Sequence, residues 1–203
     1  MTHFLIKTEP CSSSIDLSFL VPNTKMTTEQ FYTFCLANQD LRIERTAKGE
    51  IIVMPPAFAD TGNRNLRISQ QLANWAEQNG TGEVFDSSAG FTLPNGAIRS
   101  PDTAWIRFDR WNALSEDQKA SFAPLCPDFV VELRSAADTL KSLQEKLQEY
   151  MENGSQLGLL IDRKSRTVYI YRPGREPEQL REPDSIFCDP ELSGFVLQMA
   201  KIW

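Results

Sequence analysis

Three carboxylates in this sequence occupy positions where an ionised side chain is awkward. Glu50 opens the apolar run Ile51-Ile52-Val53-Met54. Asp102 follows Ser100-Pro101 and leads into Ala104-Trp105-Ile106, and Glu132 lies inside Phe129-Val130-Val131-Glu132-Leu133. A charge buried alone is too costly to keep, so each needs a cation, a metal ion or a proton. Taken singly, each reads most simply as an edge carboxylate that faces solvent or pairs with a nearby arginine. Taken together, they point to a hard divalent cation such as Mg²⁺, held by one or two carboxylates alongside waters and substrate phosphates. Hydrolysis of a phosphodiester uses that arrangement to activate water and stabilise developing charge.

The elements that must position these groups alternate between helix and strand. Thr27 and Gln30 have capping-box spacing, with Phe31, Phe34, Cys35 and Leu36 forming one face of the helix that follows. A hairpin comes next: Leu41 to Arg45 alternates, Lys48-Gly49 turns, and Glu50 to Met54 returns. The spacing predicts a helix over 61–79, ended by Gly80, and short strands at 83–86, 90–93 and 102–108. Residues 109–127 read as a connection with one helical turn, and 128–133 as a compact apolar strand. Side chains alternate along that strand, so Asp128, Val130, Glu132 and Arg134 should share a face. The clearest helix covers 137–153, and strands at 157–162 and 167–172 make a second hairpin. The last thirty residues read as irregular strands. Residues 1–25 read as an extension and 26–203 as one domain.

Composition narrows the chemistry further. The chain has 203 residues, 41% hydrophobic and 24% charged, with a net charge of −6. Globular folding is expected, and no apolar run approaches the roughly 20 residues that span a bilayer. The start of the chain lacks the order of a signal peptide, so a cytoplasmic location is expected. Four scattered cysteines without a C-x-x-C pair argue against structural zinc and against a disulfide framework. The one histidine, His3, leaves no partner for Ser-His-Asp or Cys-His catalysis. The acidic balance sits awkwardly with phosphate binding, although a local cleft can be basic on an acidic body. Arg64 and Arg67 read as solvated helix charges rather than substrate contacts.

An ordered set of motifs resembles the Uma2 family (DUF820). It begins with Arg42-Ile-Glu-Arg-Thr46, Gly49-Glu-Ile-Ile-Val-Met-Pro-Pro56 and Thr61-Gly-Asn-Arg-Asn65. It continues through Arg99-Ser-Pro-Asp-Thr-Ala-Trp105, Pro127-Asp-Phe-Val-Val-Glu-Leu-Arg-Ser135 and Glu145-Lys-Leu-Gln-Glu-Tyr150, and closes with Val168-Tyr-Ile-Tyr-Arg-Pro-Gly174. That family is similar to PD-(D/E)XK nucleases. The resemblance implies an α/β (α+β) fold, a restriction-endonuclease-like mixed sheet flanked by helices. It implies Asp102 and Glu132 as ligands of Mg²⁺ or Mn²⁺, Glu50 as the preceding glutamate, DNA as the partner and a homodimer as the assembly.

One position departs from the nuclease pattern. The lysine expected two residues after the glutamate is Arg134, which stays protonated and is suited to hold a phosphate rather than to take a proton. A lysine relocated to the following helix could replace it. Leu140, Leu143, Leu147, Tyr150 and Met151 define the apolar stripe there; Lys146 falls at its margin and Lys141 on the solvent side. The plainer reading of Lys146 is a surface ion pair with Glu149. The activities left open are a DNA endonuclease, an enzyme acting on RNA or a small nucleotide, and a silent binding or assembly module.

Overall fold

The structure, a computed structural model, describes residues 25–203; His3, Cys11 and most of the N-terminal extension lie outside the described residues. Helix α1 (Thr28–Ala37) starts on the capping box of Thr27 and Gln30, both halves of which form. Strands β1 (Arg42–Arg45) and β2 (Ile51–Met54) make the first hairpin, turned at Gly49 with φ of 84°. Helix α2 (Ala59–Asn79) starts two residues before its expected N-terminus and ends at Gly80, whose left-handed φ of 61° suits glycine.

Next come β3 (Gly82–Asp86), β4 (Phe91–Thr92), β5 (Ile98–Arg99) and β6 (Thr103–Arg107). The connection after β6 contains two short helices rather than one turn, α3 (Phe108–Trp111) and α4 (Glu116–Lys119). Strand β7 (Phe129–Leu133) precedes α5 (Leu140–Glu152), which is capped by the Thr139 hydroxyl accepting the Ser142 N–H. Strands β8 (Leu157–Asp162), β9 (Thr167–Tyr171) and β10 (Glu178–Arg181) follow. The chain closes with the paired strands β11 (Ser185–Phe187) and β12 (Val196–Gln198).

The main sheet runs β10-β9-β8-β7-β6-β3, and it is mixed: β7 and β8 are parallel, and every other pair is antiparallel. A parallel pair needs a crossover, and α5 supplies it. Alternation then sorts β7. Phe129, Val131 and Leu133 pack with Ile68 and Leu72 of α2, whereas Val130 packs with Leu143, Leu147 and Tyr150 of α5. Each face of the sheet is therefore covered by a helix, and Glu132, which follows Val130 in that alternation, points toward α5. Gly158 on β8 lets α5 come close, because a Cβ there would meet Leu147 Cδ1 at 2.6 Å. A second sheet, β2-β1-β5-β4, packs on α1 through Met26, Phe31, Phe34 and Ile98. Among the described residues no helix is long and apolar enough to cross a membrane.

Candidate active site

The antiparallel register of β6 and β7 pairs Thr103 with Val131. One step further along, that register makes Asp102 and Glu132 neighbours at the ends of these two interior strands. Asp102 Oδ2 accepts the N–H of Leu133 at 2.9 Å, and its Oδ1 accepts from Asn65 Nδ2 at 3.0 Å. The guanidinium of Arg42 stands 3.6 Å from the same carboxylate. Both acidic side chains line one cleft of about 500 Å³, enclosed between β1, β2, the start of α2 and α5.

Lys146 reaches this corner from α5. Its Nζ is 2.8 Å from Glu132 Oε1 and 2.8 Å from Glu44 Oε1, and it donates to the Ser100 carbonyl at 3.4 Å. Tyr150, one turn further along the same helix, donates its hydroxyl to Glu132 at 3.3 Å. Glu44 lies on β1 and is 2% exposed. It also accepts from Arg99 at 3.1 Å and from the Ser100 N–H at 2.9 Å. Arg99 continues to Glu149 at 2.6 Å. Lys141, by contrast, is exposed and stands 3.8 Å from Glu145.

Charge is unevenly balanced here. Burial, with Asp102 and Glu44 nearby, pushes the Glu132 carboxyl up to about 7 although Lys146 opposes the shift. Burial acts the other way on Lys146, yet Glu132 and Glu44 outweigh it and hold the ammonium above the ordinary lysine range. Burial also disfavours the Glu44 anion, but the charges of Lys146 and Arg99 prevail and its pKa is lowered. Lys146 is thus a fixed cation rather than a proton acceptor. Tyr150 is pushed well above the usual phenol range by burial and by Glu132, which keeps its O–H as a donor.

Two residues singled out in the sequence stand apart. Glu50 is exposed, does not line the cleft, and shares hydrogen bonds with Thr46 across the β1–β2 turn. The three-carboxylate cluster of Glu50, Asp102 and Glu132 is therefore not formed, and the glutamate brought to the corner is Glu44. Arg134 also leaves the cleft. Strand β7 ends at Leu133, so alternation no longer fixes its direction; it pairs with Asp162 at 2.9 Å and donates to the Asp138 carbonyl. Arg64 is tied to Asp60 and to the carbonyls of Ile202 and Trp203.

Sequence reasoning missed Arg42, Glu44, Asn65 and Arg99. The signal was the pattern Arg42-x-Glu44 on one face of a strand, opposite charges two residues apart, which looks the same as a solvated face. Among the described residues no group of three or more Asp, Glu, His or Cys side chains is gathered to hold a metal ion.

The chain is similar to known proteins in family and in fold. The profile of the Uma2 family, described as "Putative restriction endonuclease", matches residues 28–200. A solved structure from Anabaena variabilis, titled a putative nuclease belonging to DUF820, superposes with a TM-score of 0.70 at 19% identity, covering 87% of this chain and 97% of that one. No curated protein matches the chain.

Proposed function

We propose, from the premise that the chain belongs to the Uma2 family, that it is a Mg²⁺- or Mn²⁺-dependent endonuclease hydrolysing nucleic-acid phosphodiester bonds. The observation that carries this reading is the juxtaposition of Asp102 and Glu132 on adjoining strands with the Lys146 ammonium 2.8 Å from Glu132.

The residues present fit a hard cation. Asn65 Oδ1 is buried without a hydrogen-bond partner beside Asp102. Burial first, and then the neighbouring Asp102 and Glu44, disfavour the Glu132 anion, and a cation at this corner would favour it. Asp102 and Glu132 would hold the ion, with waters completing the shell as Mg²⁺ prefers. A divalent ion supplies charge stabilisation for in-line displacement at phosphorus.

The chain's own residues divide the remaining work. Lys146, held protonated between Glu132 and Glu44, supplies a fixed positive charge near the oxygen that gains charge as the P–O bond breaks. Arg42, at the cleft wall, binds a non-bridging phosphate oxygen; its Nε is buried without a partner in the protein. Glu44 and Tyr150 orient Lys146 and Glu132. In this reading Glu44 takes the place expected for Glu50, and Arg42 the phosphate contact expected for Arg134.

Isothermal calorimetry with Mn²⁺, run beside cleavage of plasmid and labelled oligonucleotides, tests the proposal. The wild type should bind the ion and cut, and Asp102→Asn should do neither while still unfolding cooperatively in chelator. Ion binding without cleavage of any nucleic acid would favour a silent binding module, and equal ion binding by the variant would remove Asp102 from the site.

A further inference from the structure

The same cleft has two unlike sides. One carries the carboxylates and cations already described. The other is apolar, formed where β2 runs through Met54, Pro55 and Pro56 into the start of α2. Phe58 stands at the N-cap of that helix, lines the cleft and is 62% exposed. An aromatic ring left in water at the rim of a polar cleft is an unused surface for stacking. The two prolines preceding it fix their own φ angles and so limit how far the segment bearing Phe58 can move.

The polar side is poorly suited to a double helix. Its lining holds three cations against six carboxylates. Arg99 is committed to Glu44 and Glu149, and Lys146 to Glu44 and Glu132. Arg42 is the least committed: it is 30% exposed, and its recorded contacts, with Asp102 at 3.6 Å and the Ser100 carbonyl at 3.5 Å, both use one nitrogen, Nη2. Duplex DNA presents one charge per roughly 1.7 Å of axis, and proteins that follow it make about 6–10 phosphate contacts. Here one arginine is available. A single aromatic platform beside a single phosphate-binding cation is instead the arrangement that takes an unpaired nucleotide, because every base has a face that can stack. The cleft volume, about 500 Å³, lies within the roughly 300–1,000 Å³ of small-ligand pockets.

We infer that this site takes a nucleotide of single-stranded nucleic acid, with its base stacked on Phe58 and its phosphate at Arg42. The inference rests on the nuclease reading above for the phosphate's position, and on Phe58 and the charge balance for the strandedness.

Fluorescence anisotropy on the full chain, with Ca²⁺ in place of Mg²⁺, tests it with a labelled single strand and with the same sequence as a duplex. The single strand should bind at least tenfold more tightly than the duplex. Phe58→Ala should weaken single-strand binding by about tenfold or more, and Phe58→Trp should restore it. Phe58 is exposed, so both variants should melt with the wild type. Equal affinity for the two probes overturns the inference, as does an alanine variant that binds like the wild type, or no binding to either probe. Ribo- and deoxyribo-oligonucleotides compared side by side identify which sugar is accepted. If Phe58-dependent single-strand binding persists while no nucleic acid is ever cut, the strandedness stands and the nuclease reading falls.

Discussion

Two ion pairs flank the end of β7 and have opposite characters. Arg134 meets Asp162 one to one, and the carboxylate is completed by the Ser165 hydroxyl and the Lys164 N–H. Those partners lower the Asp162 pKa against the opposing pull of burial. Two residues back, Glu132 shares its lysine with Glu44, faces Asp102, and is pushed up to about 7. The first pair is satisfied and lies outside the cleft. The second is under-neutralised and opens into it. Where every acceptor has its donor the residues hold the fold; where charge is left over, a ligand has something to bind.

Substitutions can break or sharpen that contrast. The largest effect is expected from Asp102→Asn, which should lower cleavage by about a thousandfold and abolish the rise in melting temperature on adding Mn²⁺. A variant that still gained thermal stability from the ion would show that the leftover charge is not used for metal. Lys146→Met should cost about a hundredfold in rate and Lys141→Met less than about twofold, measured per folded molecule. Because Lys146→Met strands two buried carboxylates, Lys146→Arg serves as the control for folding. Similar small losses from Lys146→Met and Lys141→Met would make Lys146 structural, like Arg134.

On the satisfied side, Asp162→Asn should leave the rate untouched and cost about 2 kcal/mol of stability, the scale for losing hydrogen bonds to a charged group. The sign with pH follows from the lowered pKa of Asp162. Its contribution is complete above the unfolded value near 3.8 and is lost as pH falls through the folded value. Urea midpoints of wild type and variant should therefore differ at pH 7 and converge as pH falls below 3.8. A gap that widened in acid would contradict the assignment. The smallest effect belongs to Glu50→Gln, within about 0.5 kcal/mol of wild type as for other surface positions, with no change in cleavage.

Legibility followed the same division. The capping box at Thr27, the Gly80 stop and the α5 stripe were readable because short-range chemistry fixes them. The margin of that stripe was enough to separate Lys146 from Lys141. Arg134 was not readable, since alternation carries direction only while the strand lasts and β7 ends one residue earlier. Glu44 was hidden for a different reason. On a four-residue strand reading Arg-Ile-Glu-Arg, a face buried against Arg99 and Lys146 has the same composition as one turned to water. Only the register of β1 against β5 distinguishes them.

The Lys146–Glu44 contact joins residues 102 apart in the chain, whereas Tyr150 and Glu132 are 18 apart. Closing the shorter loop costs less entropy, so the contacts among β7, α5 and β8 are local and cheaper to form than the one that brings β1 to the corner. Among these local elements Lys146 faces Glu132. Glu44 clamps the ammonium from its second side, so the corner is complete only with the β1–β2 hairpin docked, and any opening of that hairpin would dismantle the site while leaving the helix and the main sheet in place.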